Sequence, residues 1–226
     1  MHVKRATVNA VTAANGMCGV IAIMFAVDRT QHSTQISMLL ILMGMVFDGL
    51  DGYLARKFSV STEFGEKLDS VSDMITFCIA PAILIYANYY EQGISALYSM
   101  SNAVVVIASS LAMGMGGIRL ALHEGKAQSF RGLPSSAYAF AILLFIALQS
   151  PYTPMISIIL SMAMVAPVDY KKPRGTLAIF ALLLIIYTMF VLALTSLFPH
   201  PSMGYEYLYL PLICAALYII SPVYLR

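Results

Sequence analysis

Apolar residues run along the chain in eight blocks, at 8–27, 36–57, 66–90, 98–122, 134–149, 154–168, 176–198 and 207–225. Polar residues gather mostly in the breaks between them. Unbroken apolar runs of this kind predict membrane helices, because about 20 apolar residues cross the hydrocarbon core. The fifth and sixth blocks are short for a span and predict tilted or partly buried helices. The prolines of "SPYTP", Pro151 and Pro154, separate these two blocks, since proline cannot continue a helix. The pattern predicts an all-α polytopic membrane protein, a bundle of about eight transmembrane helices. Residues 1–226 read as a single domain, with no repeat and no linker.

Composition agrees. The chain is 60% hydrophobic and 11% charged, with a mean hydropathy of +0.81. A soluble domain carries roughly a quarter charged residues. The net charge of +2 and the aromatics lying in apolar runs argue against a nucleic-acid partner. Cys18, Cys78 and Cys214 form no CxxC pair and read as small core residues. His2, His32, His123 and His200 are scattered, with no helical pair to suggest zinc.

Charge also gives orientation. With eight spans the breaks alternate between two sides. Lys4, Arg5, Arg56, Lys57, Lys67, Arg119, Lys126, Arg131, Lys171, Lys172, Arg174 and Arg226 all fall on one side, and Arg29 alone on the other. The basic side, with both termini, is predicted to be cytoplasmic. The first block follows Lys4 and Arg5 as a signal peptide would. It is about 20 residues long and lacks a small-x-small exit before Asp28, so it reads as a span.

The stretch "FDGLDGYLARKFSVSTEFGEKLDSVSD", 47–73, breaks the apolar pattern. Asp48 and Asp51 are three apart and share one helix face; Asp69 and Asp73, four apart, share a face on the next helix. A tight hairpin brings the two faces together. An aspartate at the centre of a membrane helix costs roughly 2.5–3.5 kcal/mol, and less near the interface. Four converging carboxylates also repel one another, and Arg56 alone cannot balance them. Divalent cations can, and hard oxygen ligands favour Mg²⁺ or Mn²⁺. Gly49, Gly52, Ala55 and Gly65 remove bulk beside the acids, leaving room for a ligand. Glu63 and Glu66 read as ordinary solvated loop acids.

From Asp48 the sequence reads D-x-x-D-G-x-x-A-R, eight residues, then G-x-x-x-D-x-x-x-D. It resembles the CDP-alcohol phosphotransferase family at every motif position. The resemblance implies an integral-membrane enzyme that transfers a phosphatidyl-type group from a CDP-lipid to an alcohol and releases CMP. It implies a homodimer, with a two-metal site opening to the cytoplasm. Asp48, Asp51, Asp69 and Asp73 would be the metal ligands, and Asp73 also the general base. The CDP-lipid would lie against Asp48, Asp51, Gly52, Ala55, Arg56 and Gly65. The family commonly has P-N-x-x-T-x-x-N on the first span; here Asn9, Thr12 and Asn15 match and Val8 replaces the proline. Asn9 and Thr12 would bind the cytidine or its ribose, or serve as polar glue between helices.

The N-x-x-C-G at Asn15–Gly19, the stretch "IRLALHEGKAQSFRGLPSSA" at 118–137 and "MVAPVDYKK" at 164–172 resemble the phosphatidylserine synthase branch. Leu122, His123 and Ser136 depart from its pattern. That branch implies L-serine as acceptor. Serine's carboxylate needs a cation, and Arg119, Arg131, Lys171 and Lys172 are candidates for it or for a phosphate. Anionic membrane lipids could also occupy such residues. Gly114, Gly116 and Gly117 allow close helix approach, within the chain or at a dimer interface. The last two spans, 176–225, carry no motif and read as accessory. Glycerol phosphate and inositol phosphate are the alternative acceptors. A cation transporter is a further alternative, though transporters hold acids near the membrane midplane.

Overall fold

The computed structural model describes residues 2–60, 62–91, 100–122, 130–170, 175–197 and 205–224. Helices α1 (His2–Val27) and α2 (Gln31–Phe58) form the first antiparallel pair. A continuous rod follows, Glu63–Tyr89, made of α3 (Glu63–Asp73), a π-helical segment (Met74–Ile79) and α4 (Ala80–Tyr89). Then come α5 (Met100–Leu122), α6 (Ser135–Ala147), α7 (Thr153–Val165), α8 (Thr176–Leu197) and α9 (Tyr209–Tyr224). These rods coincide with the eight apolar blocks. Five of them, α1, α2, the Glu63–Tyr89 rod, α5 and α8, are long and apolar enough to cross a membrane. The chain is therefore a membrane protein by its helices.

The two short helices have a physical explanation. α6 and α7 have 13 residues each, which rise about 20 Å, less than the hydrocarbon thickness of about 30 Å. α6 is nonetheless the centre of the molecule: Tyr138, Ile142, Leu143 and Leu144 are fully buried, and apolar neighbours surround it. A helix enclosed by protein on all sides reads as apolar all round, and its length need not match the bilayer. α8 is the opposite case, with Ile179, Phe180, Leu183 and Phe190 exposed on its outer side.

Small residues decide how closely α1 meets the rod. A Cβ on Gly16 would lie 2.9 Å from Ser72 Oγ, and one on Gly19 only 2.8 Å from Thr76 Cα. Gly116 of α5 is as tight against Cys78, and Gly117 faces Met74, while Gly114 faces open space. Gly116 and Gly117 thus serve packing within the chain. Cys18 and Cys78 are buried, Cys214 is half-buried, and all three are free thiols.

Between the acidic faces the chain reverses sharply. Ser59 ends α2 in the left-handed conformation, at φ 51°, and its N–H caps the helix. Thr62 opens α3, its Oγ1 accepting from Gly65 N at 3.1 Å. Pro81 lies at the start of α4; its missing N–H and bulky ring disrupt a regular helix. The wider π turn just before it absorbs the mismatch, with Ala80 N donating to Ile75 O. Such π segments often accompany functional sites, and this one begins directly after Asp73. At the same end of the bundle, strands β1 (Phe130–Arg131) and β2 (Asp169–Tyr170) pair antiparallel.

Candidate active site

The α2–α3 hairpin brings the acids together as their spacing predicts. Carboxylate oxygens of Asp48, Asp51 and Asp69 all lie within 4.8 Å of one another. Asp51 is 5% exposed, and Asp48 and Asp69 are half-buried. Asp73 stands one turn beyond Asp69, within electrostatic reach of the other three. Ionised pairs this close repel by about 3 kcal/mol or more at an effective dielectric of about 20. The Asp51 Oδ2 is buried and accepts no hydrogen bond. An acceptor-only oxygen so placed, beside two further carboxylates, fits a hard divalent cation. Among the described residues, Asp48, Asp51 and Asp69 form a group able to hold one. Glu63 and Glu66, by contrast, are exposed, and Glu63 pairs with Lys67 at 2.7 Å on the surface.

α1 lines the other side of the acids. The Thr12 hydroxyl lies between the Val8 carbonyl, at 3.1 Å, and the Asp51 carboxylate. Asn15 is fully buried and donates from Nδ2 to Asp73 Oδ1 at 3.1 Å. Its backbone carbonyl accepts from Thr76 Oγ1 at 2.9 Å, which ties α1 to the π segment. Asn15 thereby aims the Asp73 carboxylate, a role that the sequence pattern did not assign to it. Asn9, one turn outward, packs its Oδ1 near Gly65. Polar glue and ligand contact are compatible here, because the helix that the glue holds is the one carrying the acids.

The remaining candidates divide. Gly49 faces open space, and the Arg56 guanidinium folds back toward Gly52, where a Cβ would lie 3.6 Å from Nη1. Ala55 is half-buried and Arg56 exposed. Arg119 of α5 is only 4% exposed; its Nη1 donates to Ser135 Oγ at 3.3 Å, and it lies within electrostatic reach of Asp73. Arg131 is placed by its backbone, opposite Asp169 in the β pair. Lys171 and Lys172 lie outside the described residues. The glycine beside Arg131 is fixed: Gly132 has φ +82°, its N–H donates to Val168 O at 2.7 Å, and a Cβ there would collide with the Met164 carbonyl.

A helical membrane bundle with a carboxylate triad and a buried arginine at one end suits a protein that holds a divalent cation. The chain belongs to the CDP-alcohol phosphatidyltransferase family, whose sequence pattern it matches over residues 5–215. It is 32% identical over 135 residues to the CDP-diacylglycerol--serine O-phosphatidyltransferase of Methanocaldococcus jannaschii, a match covering 59% of this chain and 62% of that one. It is 30% identical over 149 residues to the Bacillus subtilis protein of the same name, covering 65% and 76%. It is also 30% identical over 167 residues to the archaetidylserine synthase of Methanothermobacter thermautotrophicus, covering 71% and 67%.

Proposed function

We propose that this protein transfers a phosphatidyl-type group from a CDP-lipid to the hydroxyl of L-serine, releasing CMP, with divalent-metal assistance at the cytoplasmic face of a membrane. The observation that carries this reading is the Asp48–Asp51–Asp69 triad within 4.8 Å, in the family motif. Serine as acceptor is supported by the names of the relatives and by the buried Arg119 near Asp73. The cytoplasmic orientation, with both termini inside, is supported by the one-sided distribution of Lys and Arg. The homodimer, two ions per protomer and the accessory role of residues 176–225 rest on the family resemblance and on the absence of a motif there.

Asp48, Asp51 and Asp69 would hold the metal. What bound divalent ions supply is positive charge beside the pyrophosphate, which steadies the negative charge of departing CMP. Asp73, aimed by Asn15, accepts the proton of the serine hydroxyl. The hydroxyl oxygen forms a new bond to the lipid-bearing phosphorus. The bond from that phosphorus to the bridging oxygen breaks, and its electron pair leaves with CMP. Gly52, Ala55 and Gly65 keep the helix surfaces low where the nucleotide would lie, with Arg56, Asn9 and Thr12 bordering it. Arg119, with Arg131, Lys171 and Lys172 as further candidates, would take the acceptor's carboxylate or a phosphate.

The test is CMP release by purified protein from CDP-diacylglycerol or its ether analogue, with Mg²⁺ or Mn²⁺, against serine, glycerol phosphate and inositol phosphate. Serine-dependent release that Asp73→Asn removes is the expected result. Release with a phosphorylated acceptor only would overturn serine and keep the family chemistry.

A further inference from the structure

The end of the bundle away from the acids holds a half-open cavity of about 370 Å³. It is bounded by α2, the end of the Glu63–Tyr89 rod, the end of α6 and α8. Gln35 in its wall and Asp51 lie sixteen residues apart on α2, roughly 24 Å at 1.5 Å per residue. The cavity is therefore separate from the candidate active site. Small-molecule sites usually measure about 300–1,000 Å³, and this one lies at the small end of that range.

Its lining is polar and, among the described residues, uncharged. Gln31, Gln35, Asn88, Gln149 and Thr195 contribute the polar groups, and the buried Met38 and Leu192 are part of the apolar wall. Asn88 is fixed: its Oδ1 accepts from Thr34 Oγ1 at 3.2 Å and its Nδ2 donates to Leu84 O at 2.9 Å. Thr195 Oγ1 donates to Leu192 O at 2.9 Å, which leaves its oxygen free to accept. Gln35 differs. It is 9% exposed, yet its side-chain amide makes no hydrogen bond to a described residue. A buried amide without a partner is costly, and native proteins satisfy such groups with protein, water or a ligand. Gln149 follows α6 at φ 52°, a left-handed position that helix ends usually give to glycine or asparagine. Its amide also lines the cavity and makes no hydrogen bond to a described residue.

An amide offers two N–H donors and a carbonyl acceptor. Several amides and a hydroxyl, with no ion among them, match a group that donates and accepts at many points. That is the chemistry of an uncharged sugar or polyol. A phosphate or carboxylate would bring a charge into a part-buried site whose described lining holds no counterion. An apolar molecule would leave the Gln35 amide unpartnered. We propose that this cavity binds an uncharged hydroxyl-rich group, a sugar or polyol, carried by a membrane lipid or by a free molecule, with Gln35 and Gln149 as its amide partners. The site is independent of the serine reading and of the metal site.

The experiment is equilibrium binding to the full chain in a polyoxyethylene detergent, because sugar-headed detergents would compete. The probes are radiolabelled monoglucosyl and monogalactosyl diacylglycerol, with free methyl glucoside and glycerol as the soluble arms. Diacylglycerol and phosphatidylglycerol are the controls. A sugar or polyol probe should saturate at one per protomer, and saturating CDP-diacylglycerol should not displace it. A glycolipid that binds at least tenfold tighter than its free head group makes a lipid the source; comparable binding makes it a free molecule. Gln35→Met keeps the side chain's length and removes the amide, so it should weaken binding at least tenfold. Gln149→Gly removes the second amide and suits the left-handed backbone. It should weaken binding while the thermal midpoint holds or rises; a merely structural role would lower that midpoint. Ile179→Ala, on the outer side of α8, should change neither. The proposal is overturned by any of four results: no saturable binding of a sugar or polyol probe, equal binding of either control lipid, displacement by CDP-diacylglycerol, or unchanged binding in either folded glutamine variant.

Discussion

Asn15 shows how much a single amide can decide. Its side chain donates to Asp73 from 58 residues away, while its backbone carbonyl accepts from Thr76, so the residue ties both the carboxylate and the helix bearing it to α1. Asn15→Ala should lower kcat at least tenfold, because the proposed base, Asp73, loses its aim, with a smaller change in donor KM. CMP release under saturating serine measures this. Asn15→Asp should be worse, since it adds a fifth acid to four that already repel. Asp51→Asn keeps the shape and removes the charge of a buried oxygen that accepts no hydrogen bond. It should move half-saturation in a Mg²⁺ titration upward by at least tenfold, and removal of divalent ions with a chelator should abolish turnover in wild type. Activity that survives chelation would sink the metal reading of the triad.

At the scale of elements, the site depends on how closely α1 can lie against the Glu63–Tyr89 rod. Gly19 meets the backbone of Thr76, which cannot rotate aside as a side chain tip can. Gly19→Ala should destabilise the protein by about 1–3 kcal/mol, the range for overpacking a tight interface. A lowered thermal midpoint in detergent is the readout. Gly49→Ala, with nothing within 4 Å of the new methyl, should leave that midpoint unchanged. Gly132→Ala places a side chain at φ +82° against a carbonyl, so it should disturb the β pair beside Arg131. The periodicity of the chain revealed the acidic faces of α2 and α3, because i, i+3 and i, i+4 spacings are local geometry. It could not distinguish an interface glycine such as Gly19 from an open one such as Gly49. That difference depends on which helix arrives opposite.

For the whole molecule, the distribution of charge predicts a direction in the membrane. Lys67→Cys in a background without the native cysteines should react with an impermeant thiol reagent only from the cytoplasmic side, and Arg29→Cys only from the other. The opposite pattern would invert the proposed active-site face. The sequence by itself determined the membrane character, the apolar rods and the convergence of Asp48, Asp51 and Asp69. All of these follow from composition, run length and helical spacing, which are properties of neighbouring residues. It also marked α6 and α7 as short. Only the tertiary structure made α6 the enclosed centre, joined Asn15 to Asp73, set Arg119 against Ser135, and brought α9 against Tyr170 of β2. Those pairings span 16 residues or more, and packing chooses them: a polar side chain on an apolar helix carries no mark of its partner until two faces meet.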